Sequence, residues 1–169
     1  MSLLAGFPPL VAPGARALIL GSMPGKASLA AARYYAHERN SFWRIMGDLL
    51  DAGPDRPYAE RLHRLAGAGI AVWDVIAACE RESSLDADIV SATVRVNDFQ
   101  SFFAVYRDIR VIFFNGAAAE TNFRRHVLPG LEEGRFVLQR LPSTSPAHAA
   151  LTYAEKLAAW SAIVALPNN

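Results

Sequence analysis

Residues 15–25 read ARALILGSMPG, an apolar run that stops at Gly21 and turns at once into serine, proline and a second glycine. A short apolar run bounded by turn residues is the pattern of a strand buried within a sheet, with the chain turning away at its carboxyl end. The connection that follows is unusually equipped: YYAHERN, residues 34–40, sets two tyrosines, a histidine and an asparagine before the next apolar pattern. That pattern, Phe42, Trp43, Ile45, Met46, Leu49 and Leu50, recurs at helical spacing and predicts a helix over about residues 41–51, with Asn40 or Ser41 as its N-cap.

Further along, the periodicity predicts helices over Pro57–Ala66 and Asp98–Arg107, strands over Ile70–Trp73, Val111–Phe114 and Arg135–Leu141, and a helix opened by Gly116 and running to about Val127. Thr152 with Glu155 three residues on is a capping box for a closing helix that reaches Ala165. Strands alternating with helices imply parallel pairing through right-handed crossovers. The expected fold class is α/β: a three-layer α/β/α sandwich around a central four-stranded, mainly parallel sheet. Ligands bind such sheets beyond the carboxyl ends of the strands, where this sequence places GSMPG, FNGAA and LPSTSPAH. The most loop-like stretch, Glu80 to Val96, is expected to pass over that same edge.

With 169 residues, 52% hydrophobic and 20% charged, the chain is expected to form one domain with a substantial core. No apolar run approaches the roughly 20 residues of a membrane span, and the first residues lack the pattern of an export signal, so a cytoplasmic protein without membrane association is expected. The single cysteine, Cys79, can neither close an internal disulfide nor anchor a cysteine-rich metal site, and is read as a small buried hydrophobe in preference to a reactive thiol. A net charge of +1 gives no strong footprint of nucleic-acid binding, although the cations are almost all arginine, with only Lys26 and Lys156 as lysines.

In chain order, GSMPG (21–25), YYAHERNSFWRIM (34–46), GIAVWDVI (69–76) and LPSTSPAH (141–148) resemble the motif series of the uracil-DNA glycosylase superfamily. The nearest pattern is that of the hypoxanthine-DNA (deoxyinosine) glycosylases and their mismatch-specific uracil glycosylase relatives. The resemblance implies one glycosylase domain over residues 1–169 with the α/β/α fold. It also implies monofunctional hydrolysis of an N-glycosidic bond without metal or cofactor, and a monomer whose partner is DNA carrying a deaminated base. Two positions depart from the uracil-specific members: Met23 stands where an acidic or amide side chain orients the attacking water, and Ser143 stands where His or Asn opens the second motif. Both departures fit the hypoxanthine-type branch.

Breaking an N-glycosidic bond builds negative charge on the departing base, so fixed hydrogen-bond donors facing that base are the expected source of acceleration. The Gly21–Gly25 turn, with Ser22 and Met23, and the Ser143–His148 loop are suited to presenting main-chain amides. Asn40 is nominated to position the attacking water, with Ser143 as the second catalytic candidate; Asn40 is also readable as a helix cap alone. Tyr35 and Phe42 are the aromatics nominated to cover the base, although Phe42 and Trp43 are equally readable as core. Hypoxanthine offers an N1–H donor beside a carbonyl. The resemblance sets Asp74, after GIAVW, where uracil-reading members carry an asparagine, which implies that it accepts that N1–H unless it caps a turn or pairs with an arginine, and Asn115 either contacts base or sugar or satisfies its own turn. Gly25, Lys26, Ser145 and His148 are the candidates for DNA phosphates. His37 is either a loop hydrogen-bonder or a pocket wall, and Arg124, Arg125 and His126 form either a solvated face or a DNA contact.

Overall fold

In the computed structural model, which describes residues 2–166, the chain folds around the strand anticipated at the start of the sequence. In chain order the elements are β1 (Leu3–Ala5), β2 (Ala17–Gly21), α1 (Lys26–Ala31), α2 (Phe42–Leu50), α3 (Tyr58–Gly67), β3 (Ile70–Asp74) and β4 (Ile76–Glu80). Then come β5 (Arg95–Val96), α4 (Phe99–Val105), β6 (Val111–Asn115), α5 (Ala117–His126), β7 (Val137–Leu141) and α6 (Tyr153–Trp160).

Four strands form a sheet in the order β3-β2-β6-β7, and every pairing is parallel, with Ala17 opposite both Ile70 and Val111. The chain therefore starts in the middle of the sheet, builds outward to β3, and crosses back to β6 on the other side of β2. The carboxyl ends of these three strands thus flank the point where crossovers leave in opposite directions, the usual place for a ligand. Alternation along the strands divides the core in two. Ala17, Ile19, Val72 and Phe113 face Phe42, Trp43 and Trp160 of α2 and α6, whereas Leu18, Leu20, Trp73 and Phe114 face Phe99, Phe102 and Phe123 of α4 and α5. This is the three-layer sandwich expected from the sequence. The outer edge of β3 is closed by the N-terminal segment, where Leu10 and Val72 exchange main-chain hydrogen bonds of 2.8 and 2.9 Å.

The structure adds what periodicity did not disclose. β1, β4 and β5 form a second, antiparallel three-stranded sheet, beneath which Met23, Ile76 and Cys79 make a third small cluster. β4 carries alanines and follows β3 with only Val75 between them, so its sequence lacks a strand signature of its own. The six-residue α1 was also unforeseen, and the closing helix tightens into a 3₁₀ turn after Trp160 instead of continuing to Ala165. Among the described residues, no helix is long and apolar enough to cross a membrane.

Gly116 joins β6 to α5 at φ +93°, and a Cβ there would lie 3.0 Å from the Cβ of Ser143. Gly116→Ala is therefore expected to cost about 1–3 kcal/mol and to lower the melting temperature by roughly 2–10 °C in thermal unfolding.

Candidate active site

The carboxyl ends of β2, β3 and β6 open into a cavity of about 280 Å³, near the lower end of the roughly 300–1,000 Å³ common for small-ligand sites. Its floor and walls are the GSMPG turn after β2, Tyr35 and Asn40 from the α1–α2 connection, Asp74, Asn115, and the Ser143–Ala147 loop after β7.

The tightest packing lies at Gly21. A Cβ on this residue would fall 2.5 Å from Asp74 Oδ1 and 3.0 Å from the Tyr35 hydroxyl, so only glycine lets both polar groups approach the end of β2. Tyr35 itself takes a left-handed backbone conformation, φ +53°, which is strained for an aromatic residue. Its surroundings hold it there. The ring stacks on Phe42 at 4.0 Å between centroids, while preceding Tyr34 is fixed through both main-chain groups, its N–H donating to the Tyr58 hydroxyl and its carbonyl accepting from Trp43 Nε1. The Tyr35 hydroxyl and Asp74 Oδ2 are both buried without a hydrogen-bond partner. Burial, and secondarily the Asp86 carboxylate, push the Asp74 carboxyl up to about 7, with Arg81 pulling weakly the other way. Burial and the nearby Asp74 also push the Tyr35 hydroxyl far above its ordinary value.

The loop after β7 is tied down at Thr144. Its N–H donates to Asn115 Oδ1 at 2.9 Å, its hydroxyl accepts from Asn115 Nδ2 at 3.0 Å, and its carbonyl accepts from the N–H and hydroxyl of Ser41. From α6, Lys156 Nζ donates to the His148 carbonyl at 2.7 Å and Trp160 Nε1 to the Pro142 carbonyl at 2.9 Å, gripping the loop at both ends. The 80–96 stretch does cross the same edge: Ser22 donates its hydroxyl proton to Asp86, and Ser84 Oγ accepts from the Lys26 N–H. Below the turn, buried Arg81 donates to the Pro24 carbonyl.

Of the side chains nominated from sequence, Ser22, Met23, Gly25, Lys26, Tyr35, Asn40, Asp74, Asn115, Ser143 and Ser145 line the cavity. Phe42 and His148 do not. Phe42 is fully buried behind Tyr35, against Trp43 and Trp160, because it begins the core face of α2; it backs the wall without forming it. His148 reaches the site's frame through its main chain, its carbonyl accepting from Lys156 and its N–H donating to the Ser145 carbonyl. Ser41 takes the N-cap position of α2 without a side-chain cap bond, while Asn40, one residue earlier, accepts the Phe42 N–H at 3.0 Å and still lines the cavity. Asn115 spends its amide on Thr144, and the Ser143 hydroxyl accepts from the Ser145 N–H at 3.2 Å. His37 combines both of its readings: it borders the cavity, and Nδ1 accepts from the Arg39 N–H. Arg124–His126 form a solvated face, with Arg124 paired to Glu120. Thr144, Arg81 and Asp86 were missed. Thr144 and Arg81 are buried polar residues whose partners lie far along the chain, and only the polarity of the loop carrying Asp86 hinted at it.

The profile of the uracil DNA glycosylase superfamily matches residues 8–164. Two curated relatives named hypoxanthine DNA glycosylase are each 35% identical to the chain. The one from Methanosarcina barkeri aligns over 66% of this chain and 70% of its own, and the one from Methanosarcina acetivorans over 68% and 72%. A solution NMR structure from Methanosarcina acetivorans, provisionally described as a uracil DNA glycosylase, superposes with a TM-score of 0.80 at 30% identity, covering 96% of this chain and 97% of that one.

The Tyr35 hydroxyl is buried without a hydrogen-bond partner, and the Asn115 amide, which lies close enough to favour its ionised form, directs its own hydrogen bonds to Thr144. Tyr35→Phe keeps the stack on Phe42 and should stabilise the fold by about 1 kcal/mol, a rise of roughly 2–4 °C in melting temperature.

Proposed function

The chain belongs to the uracil DNA glycosylase superfamily, and on that premise we propose that it removes hypoxanthine from DNA, hydrolysing the C1′–N9 bond and leaving an abasic site. The observation that carries this reading is the cavity itself, enclosed by two tightly held main-chain segments and lined by Asp74, Tyr35 and Asn40. The names of the two curated relatives support the choice of hypoxanthine.

A base inside a duplex cannot reach such a cavity, so the nucleotide must rotate out of the stack. Tyr35, backed by Phe42, then supplies an aromatic wall, and Lys26 and Ser145 stand at the rim where the flanking phosphates pass. As the glycosidic bond lengthens, its electron pair moves onto the purine and positive charge gathers on the sugar. With the Thr144 and Ser145 N–H groups spent on Asn115 and Ser143, the Ser143 N–H and the main-chain donors of the Gly21–Gly25 turn stabilise the developing anion. They are fixed before reaction begins, the turn by Arg81 and Ser84, the loop by Asn115, Ser41 and Lys156. Water adds to C1′ and loses a proton to solvent while the purine anion takes one up, giving free hypoxanthine and a hemiacetal sugar. Asn40 positions that water; its Oδ1 accepts the Phe42 N–H with one lone pair and keeps the other, and its Nδ2 supplies donors. Ser143 borders the same space as the second polar contact. The protein acts as a monomer.

The proposal is tested with duplexes carrying a single deoxyinosine or a single deoxyuridine, scored for abasic sites under single turnover. Release of hypoxanthine is expected, and its absence with robust uracil release would replace this reading by that of a uracil-type enzyme. Asn40→Ala should lower the rate of hypoxanthine release by about 10²–10³-fold, with duplex affinity changed by only a few-fold. Asn40→Asp, which keeps an oxygen to accept the Phe42 N–H but loses the Nδ2 donors, separates loss of the water contact from loss of the helix start. An undiminished rate in Asn40→Ala would remove this residue from the mechanism.

A further inference from the structure

Asp74 closes β3 inside the cavity wall, and its surroundings do not accommodate a charge. The residue is 4% exposed, Oδ2 meets no donor, and among the described residues no lysine, arginine or histidine forms an ion pair with it. A buried carboxylate without donors is strongly disfavoured relative to its protonated form. The groups facing it come from every neighbouring element. Tyr34 and Tyr35 of the α1–α2 connection are neutral hydroxyls, and Asn115 at the end of β6 is a neutral amide. From the connection after β4, Asp86 opposes an anion at Asp74 while Arg81, whose Nη2 donates to the Pro24 carbonyl and whose Nε and Nη1 meet no acceptor, favours it without pairing with it. Lys26 and His37 border the same cavity without pairing with Asp74. Burial and Asp86 together outweigh Arg81, which agrees with the raised value of about 7.

We propose that Asp74 meets the flipped base as a neutral carboxylic acid, donating an O–H from Oδ1, the oxygen that burial leaves open to the cavity, to O6 of hypoxanthine. This assignment rests on the cavity being the base pocket. Ionised, the carboxyl has acceptors only, so Oδ1 would stand against O6 with no proton between them. Protonated, it offers the donor that a C6=O group requires. The distinction grows along the reaction. Negative charge accumulates on the purine, including O6, as the bond to the sugar breaks. A neutral acid strengthens its hydrogen bond to that oxygen, whereas an adjacent carboxylate repels the same charge.

The wild type and Asp74→Asn, which keeps a donor beside an acceptor but does not titrate, are compared from about pH 6 to about pH 8.5. Single-turnover release of hypoxanthine by the wild type should fall as pH rises through about 7, approaching tenfold per unit beyond the midpoint, and the variant should lose this fall. A wild-type rate that rises with pH over this range, or a fall retained in the variant, would overturn the assignment. Thermal unfolding supplies a readout independent of activity. The folded carboxyl keeps its proton up to about 7, while the unfolded one releases it near about 4. The folded state therefore binds more protons across that window, and the wild type loses stability as pH climbs through it. The melting temperature of the variant relative to the wild type should thus rise from about pH 5 to about pH 8; a constant or shrinking difference would also overturn the proposal. If neither protein releases hypoxanthine at any pH, the glycosylase reading fails, and the melting difference still decides whether Asp74 is neutral.

Discussion

Thr144 is where the site is joined together. Through its N–H and hydroxyl it binds the Asn115 amide at the end of β6, and through its carbonyl it binds Ser41 at the start of α2. Two loops that flank the cavity, separated by about a hundred residues of chain, are thereby set against the sheet and against each other. Buried hydrogen bonds of this kind add little net stability, but leaving one partner unmatched is expensive, so the arrangement has few alternatives. Rigid loops matter to the proposed reaction because its donors must be in place before charge develops.

The layers of the sandwich explain why the frame can be so stiff. β2, β3 and β6 are buried on both faces while β7 at the edge is largely exposed, with aromatic clusters from α2 and α6 on one side of the sheet and from α4 and α5 on the other. Strained or unsatisfied groups, the left-handed Tyr35 and the uncompensated atoms of Tyr35 and Asp74, collect where the strands end and the cavity begins. Such features persist only when surrounding structure over-determines them. The stack of Tyr35 on Phe42 and the hydrogen bonds of Tyr34 do so here.

The sandwich was legible because β2, β3 and β6 are apolar runs ending in turn residues and because α2, α3 and α6 show helical spacing or caps. The second sheet was not, since β4 owes its existence to pairing with Leu3–Ala5 some seventy residues away, and its own alanines have no strong preference. Positions lining the cavity were largely visible as polar residues just beyond strand ends. Their division of labour was hidden. Asn40 serves a helix and the cavity at once, Asn115 turns its amide to a loop, and Phe42 lies behind the wall because the core face of α2 begins at that residue. Sequence spacing shows which face a side chain shares, but not which of its hydrogen-bonding atoms remain free.

Cys79 has a consequence beyond packing. The chain's single thiol is fully enclosed under β1, and burial raises its pKa, which suppresses the thiolate that oxidants and nitrosating agents attack. Nitrosative chemistry also replaces the exocyclic amine of adenine by oxygen, generating hypoxanthine. The same stress that creates this lesion therefore finds no exposed sulfhydryl by which to inactivate the protein.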